Sequence, residues 1–229
     1  MKTVGIIGGL GPETTSEFYL DIIFNYQKMN NSQRAPIIIS SVPIPYIIEE
    51  EGILKNKGVE RFLPYLINEA KRLEQANADF IVMPCNSMHI FINELRASVK
   101  IPVLSIIEET VKYIKKKKIK KVGIISTAMT LRNKLYENEL LKNSISCSGA
   151  SHTEQSRLDK IILNIVKGEK DKADYYYLLG TIEKLNKENV DCILLACTDL
   201  QLLRPSHPSL KIFDTMQIFS QATVDYMLK

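Results

Sequence analysis

Two cysteines stand where a thiol could do chemistry. In "DFIVMPCNSMH" an apolar run from Phe80 to Met83 breaks off at Pro84-Cys85-Asn86-Ser87, and in "DCILLACTDL" a similar run ends at Cys197-Thr198-Asp199. A thiol used only for packing belongs inside the apolar run. One placed where a strand gives way to a helix meets free amides that lower its pKa. That matters because an ordinary thiol is only a few per cent ionised near neutrality, whereas one of pKa near 7 is roughly half thiolate. Two such thiols facing one carbon can take a proton from one face and return one to the other, exchanging roles with direction. Reacting distances on each side put the sulfurs roughly 7 Å apart, too far for a disulfide.

The other cysteines and the histidines read differently. Cys192 lies within an apolar run and Cys147 has no echo elsewhere, so both read as packing residues. Cys192 and Cys197 do not form C-x-x-C, and His89, His152 and His207 are scattered, so no metal site is expected. His89, four positions after Cys85, could orient that cysteine or its substrate, or be a satisfied surface histidine. A Cys85–His89 nucleophile pair would leave Cys197 unexplained.

The elements that carry these residues alternate. Short apolar runs at Thr3–Ile7, Pro36–Ser41, Phe80–Met83, Val103–Ser105, Val122–Ile125, Ser144–Ser148, Cys192–Leu195 and Lys211–Phe213 read as strands. Helical periodicity is clearest over Glu13–Lys28, Val59–Gln75, Asn86–Ser98, Ile106–Lys117, Thr153–Val166, Lys172–Glu188 and Met216–Leu228. The expected fold is α/β, with mainly parallel sheets flanked by helices. The pattern also repeats. "KTVGIIGGLGPETTSEFY" from Lys2 is echoed by "KKVGIISTAMTLRNKLYE" from Lys120, and "DFIVMPCNS" from Asp79 by "DCILLACTD" from Asp191, at nearly the same offset. Two similar lobes are therefore expected, residues 1–104 with 214–229 and residues 105–213, and the repeat makes Cys85 and Cys197 equivalent.

Ligands of parallel α/β sheets bind beyond the carboxyl ends of the strands. Besides the cysteine turns, Gly8-Gly9-Leu10-Gly11-Pro12 and its partner Ser126-Thr127-Ala128-Met129-Thr130 occupy such ends. The glycines permit close backbone approach, and Pro12 suits the first residue of a helix whose amides attract anions. A dinucleotide site fits poorly, because Thr14 stands where a third glycine is needed and no acidic residue closes the second strand. A structural tight turn is the simpler alternative.

Composition sets the outer bounds. The chain has 229 residues, 45% hydrophobic and 24% charged, with a formal charge of +4, which suits a globular protein with a real core. The lysines from Lys115 to Lys121 read as a solvated helix end, since no nucleic-acid motif accompanies them. No apolar run approaches the length of a membrane span and the start does not read as a signal peptide, so a cytoplasmic location with reduced thiols is expected.

"GIIGGLGPETT", "MPCNSMH" and "LLACTDL" resemble the signatures of the cofactor-independent aspartate/glutamate racemase superfamily, above all its aspartate and broad aspartate/glutamate branch. The resemblance runs from Lys2 to the "IFDT" at Ile212–Thr215. It implies pseudo-symmetric lobes with the substrate between them, no pyridoxal phosphate or other cofactor, and often a homodimer. The implied partner is a small molecule, an acidic amino acid, with L- and D-aspartate or glutamate interconverted. Carried over by motif, Cys85 and Cys197 are the bases. Asn86, Ser87 and Thr198 hold the substrate's carboxylate or amino group, with Gly9, Leu10, Thr127 and Thr130. Two departures bear on the substrate: the second motif has Ala196 and Asp199 where Gly and Glu are usual, and the arginine expected near Pro45–Ile47 is absent. Arg157 or Lys160 could supply a cation instead. Hydantoin racemisation, cis-trans isomerisation of a diacid, or amino-acid binding without turnover are the alternatives.

Overall fold

The computed structural model describes residues 1–52 and 57–229. Two parallel sheets form. The first contains β1 (Val4–Gly8), β2 (Ile37–Ser41) and β3 (Phe80–Val82) in the order β2-β1-β3. The second contains β4 (Lys121–Ser126), β5 (Ser146–Gly149), β6 (Cys192–Ala196) and β7 (Lys211–Asp214) in the order β5-β4-β6-β7. The shared order matches the repeat seen in the sequence. Asp79 and Asp191, which lead the repeated motif, even do the same work: Asp79 accepts from Thr3 N–H at 2.6 Å, and Asp191 accepts from Lys120 and Lys121 N–H at 2.7 and 2.9 Å.

The helices are α1 (Pro12–Met29), α2 (Tyr46–Glu50), α3 (Leu63–Gln75), α4 (Ile92–Ser98), α5 (Ile106–Lys116), α6 (Ala128–Arg132), α7 (Leu135–Lys142), α8 (His152–Val166), α9 (Lys172–Asn186) and α10 (Thr215–Met227). Strand alternation distributes the core. Ile6, Phe80 and Val82 of the first sheet, and Ile124 and Leu194 of the second, turn to one shared central core with α1, α5 and α10. Ile7 and Ile81 turn to the outer layer under α3 and α4, and Ile125, Ile193 and Leu195 to that under α8 and α9. Period two places alternate residues on opposite faces, and strands covered on both must be apolar throughout.

Three differences from the sequence reading have local causes. The expected strand at Val103–Ser105 shrinks to a single bridge, Ile81 to Val103, because Ser105 is taken up as the N-cap of α5, accepting from Glu108 N–H at 3.3 Å. The expected helix from Asn86 opens as a 3₁₀ turn over Ser87–Phe91 before α4 begins. Helices α2, α6 and α7 are short and showed no clear period. Cys192 is buried in the central core and Cys147 sits half-buried on edge strand β5. The lysines from 115 form the last turn of α5 and the following turn, in which Lys118 is left-handed. Among the described residues, no helix is long and apolar enough to cross a membrane.

Candidate active site

The carboxyl ends of β1, β3, β4 and β6 meet in one cleft of about 570 Å³, counting its open mouth. Both cysteine turns line it, with Leu10, Gly11, Glu49, Thr127, Met129 and the α8 residues Ile162 and Val166. All four cysteines are free thiols.

Each cysteine is held in the same way. After β3 the chain turns tightly, with Cys85 N–H donating to the Met83 carbonyl at 2.8 Å, and the Cys85 sulfur receives the amides of Ser87 and Met88. After β6 the Cys197 sulfur receives the amides of Asp199 and Leu200, again two and three positions on. These amides open short 3₁₀ turns, Ser87–Phe91 and Leu200–Leu203, so their N–H groups are free to point at sulfur. They oppose the dominant effect. Burial pushes the Cys85 thiol up to about 12, with Asp199 and Glu49 adding to the rise. Burial likewise raises Cys197 well above the ordinary range, with Asp199 and then Cys85 adding their charge. Both sulfurs hold their protons at rest, and each becomes a strong base once ionised.

The residues flanking each cysteine cross to the other lobe. Ser87 Oγ lies 2.7 Å from Thr127 Oγ1 and 3.2 Å from Thr130 Oγ1, and the two threonine hydroxyls are 3.1 Å apart. In the mirrored position, Asp199 accepts from the Thr14 hydroxyl at 2.8 Å and lies 3.7 Å from the Cys197 sulfur. Asn86 donates to Thr215 Oγ1 at 3.1 Å and accepts from the Tyr136 hydroxyl at 2.6 Å, while Thr198 donates to the Pro84 carbonyl at 3.3 Å. The cleft therefore exists only when both lobes are docked.

Asp199 is 8% exposed, and its carboxyl is pushed up to about 6 by burial, against the donors Thr14 and Cys197. The glycine turn makes room for it. Gly11 has φ +95°, and a Cβ there would come within 2.7 Å of Asp199 Oδ1. This explains Gly11 without a nucleotide: it admits a carboxylate from the opposite lobe.

Of the residues expected at the site, Cys85, Cys197, Leu10, Asn86, Ser87, Thr127 and Thr198 line the cleft. Asn86 does so with its amide already spent on Tyr136 and Thr215. Thr130 lies behind Thr127 and Ser87. Gly9 faces away, where a Cβ would meet the Val42 nitrogen at 2.9 Å. Arg157 is displaced altogether. Its guanidinium donates to Asp174 of α9 at 2.8 Å, because α8 turns the apolar Ile162 and Val166 to the cleft. Lys160 is exposed on the same helix. α8 instead serves through Gln155 and Asp159, which bond the Ser126 carbonyl and Ala128 N–H at 2.8 and 2.9 Å and so fix the Thr127 turn.

His89 is no surface residue. It is 3% exposed, with Nδ1 2.8 Å from the Cys85 carbonyl and Nε2 accepting from Ile106 N–H at 3.0 Å. Nδ1 must then carry the proton, and burial lowers the ring to about 4. The ring is a neutral clasp on the Cys85 backbone. Among the described residues, no group of three or more His, Cys, Asp or Glu is placed to hold a metal ion.

Residues 7–223 match the profile of the Asp/Glu/Hydantoin racemase family. The chain belongs to this racemase family. It is 27% identical to the broad specificity amino-acid racemase RacX of Bacillus subtilis over 98% of both chains. Its structure resembles an aspartate racemase homologue from Pyrococcus horikoshii, with a TM-score of 0.78 and 26% identity over all of both chains. The Picrophilus torridus aspartate racemase shares the fold, with a TM-score of 0.82 at 24% identity, over all of this chain and 95% of that one. Family membership makes the chain an isomerase. The cleft also contains residues that sequence reasoning missed, the α2 residue Glu49 and the apolar Phe62, Ile162 and Val166, and Thr14 is buried behind it against Asp199.

Proposed function

We propose that the chain is a cofactor-independent amino-acid racemase in which Cys85 and Cys197 are the two bases. The observation that carries this is the matched setting of the two thiols: one cleft, one sulfur per lobe, each receiving two backbone amides and each braced across the lobe junction. The substrate's α-carbon sits between the sulfurs. One thiolate takes the α-proton, breaking C–H and forming S–H, while the opposite S–H gives its proton to the other face. The proton count is unchanged, and the reverse reaction exchanges the roles. Both transfers are made by side chains of the protein, so the step calls for no cofactor.

Burial serves this chemistry. An amino-acid α-proton is a very weak acid, and a thiolate in a dry cleft is a far stronger base than one in water. The substrate's ammonium brings the positive charge that favours ionisation, and the amides at each sulfur hold the thiolate. Asp199, 3.7 Å from Cys197, gives that thiol a proton acceptor, whereas the equivalent residue beside Cys85 is Ser87. The two bases are thus alike in place and unlike in the group that stands ready to take their proton.

The expected aspartate or glutamate substrate meets no cationic side chain on the described lining. The expected homodimer belongs to the same reading and is tested by sedimentation velocity. For the reaction itself, single enantiomers are incubated with reduced protein in D2O and followed for α-proton exchange and optical rotation. Racemisation that is lost in both Cys85→Ser and Cys197→Ser supports the reading. No exchange with any amino acid, or an undiminished rate in either variant, overturns it.

A further inference from the structure

The racemase cleft has two carboxylates, Asp199 and Glu49, and its described lining holds no lysine, arginine or histidine. Asp199 lies deep, against Cys197 and Thr14. Glu49 lies outward, half-buried on the five-residue α2. Its neighbour Glu50 engages Lys167 at 3.9 Å, while the Glu49 carboxylate has no hydrogen-bond or ion-pair partner among the described residues. Glu49 and Val166 also line a second hollow with Tyr46, Glu50, Leu163 and Lys167, so Glu49 stands where the cleft opens outward. Its carboxyl is raised by burial and then by the charge of Asp199, so the two carboxylates face a common space.

Counting charges limits what can enter. An amino acid brings one α-ammonium, which answers one carboxylate, and Asp199 beside the reacting sulfur is the nearer. Glu49 is then left without a counter-charge. The amino acid's α-carboxylate is left to the hydroxyls and backbone amides of the strand ends, and an aspartate or glutamate side chain would add a fourth carboxylate to the same partly dry space, where like charges repel strongly. The wall between is apolar, made by Phe62, Met129, Ile162 and Val166, and suits a run of methylenes that ends in a charged head.

We propose that the cleft selects amino acids whose side chain is an aliphatic stem ending in a cation, of the lysine and ornithine class, and that Glu49 is the specificity-determining residue that receives that cation. This rests on the racemase reading above and goes beyond it in naming the substrate. Glu49 is placed to touch only the end of the side chain, so its effect follows the substrate's charge.

The test is a panel of lysine, ornithine, methionine, glutamate and aspartate, each as a single enantiomer, with wild-type protein and Glu49→Gln. The expected result is a higher kcat/KM for lysine or ornithine than for glutamate or aspartate. In Glu49→Gln the ratio of kcat/KM for lysine to that for methionine falls roughly tenfold, the worth of one charged hydrogen bond. A wild-type preference for glutamate or aspartate overturns the inference and leaves the racemase intact. So does a Glu49→Gln variant that slows lysine and methionine alike. Exchange of none of the five overturns the racemase reading itself.

Discussion

Replacing Asp199 by asparagine separates stability from catalysis at one residue. The carboxyl rises from an ordinary 3.8 to about 6, chiefly through burial, with the Thr14 and Cys197 donors opposing. A raised acid keeps its proton to higher pH in the folded protein than in the unfolded chain. Above pH 6 the ionised carboxylate therefore costs the fold about 3 kcal/mol, at about 1.4 kcal/mol per pH unit. Well below pH 3.8 both states are protonated and the cost vanishes. Asparagine has the same size and still accepts from Thr14, but carries no charge. Asp199→Asn is expected to be more stable than wild type by up to about 3 kcal/mol at pH 8, with the gain shrinking towards zero below pH 4. It also deprives Cys197 of its proton acceptor, and racemisation falls roughly hundredfold. Because enantiomers are equal in energy, kcat/KM must fall by the same factor in both directions. Urea unfolding at pH 8, 6 and 4.5, with polarimetry on the same samples, checks both halves. A variant destabilised equally at every pH would refute the buried-charge argument. One that is stabilised yet racemises at the wild-type rate would remove Asp199 from the mechanism.

Three further predictions concern the frame of the site. Gly11→Ala must adopt φ +95° and press on Thr14 and Asp199; it should cost roughly 1–3 kcal/mol by denaturant unfolding and lower activity by displacing Asp199. Because burial lowers His89 to about 4, the unfolded chain gains a proton below pH 6.5 that the folded protein refuses. Stability is full above pH 6.5 and falls by about 3 kcal/mol towards pH 4, and His89→Gln should flatten that acid limb in pH-dependent unfolding. Asn86→Ala leaves the buried Tyr136 hydroxyl without its acceptor and breaks a bond between the lobes; a loss of roughly 1–3 kcal/mol in thermal unfolding is expected.

The strands, the repeat and the cysteine pair were legible because parallel strands buried on both faces are continuously apolar, and polar residues mark their ends. Cys85 and Cys197 could be matched from "DFIVMPCNS" and "DCILLACTD" alone. What joins across the lobes could not. Thr14 and Asp199 are far apart in the chain, and nothing local to either announces the bond. Glu49 was invisible for another reason: α2 is a single short turn in a glutamate-rich stretch, too brief for a period to show. Arg157 was placed at the site by its chemistry, but helix geometry sends it elsewhere. Leu158, Ile162 and Ile165 form the buried stripe of α8, and Arg157 lies off that stripe against Asp174.

The claim of two bases on opposite faces is tested most directly by isotope partition at early conversion. One enantiomer of a turned-over amino acid is mixed with the protein in D2O, and both enantiomers are separated and weighed after a few per cent of reaction. With two thiols, the abstracted protium stays on the first sulfur while the second, already exchanged with solvent, delivers deuterium. The product should then be deuterated throughout and the recovered substrate unlabelled. Protium carried into the product, or deuterium appearing equally in both enantiomers from the start, would contradict the account.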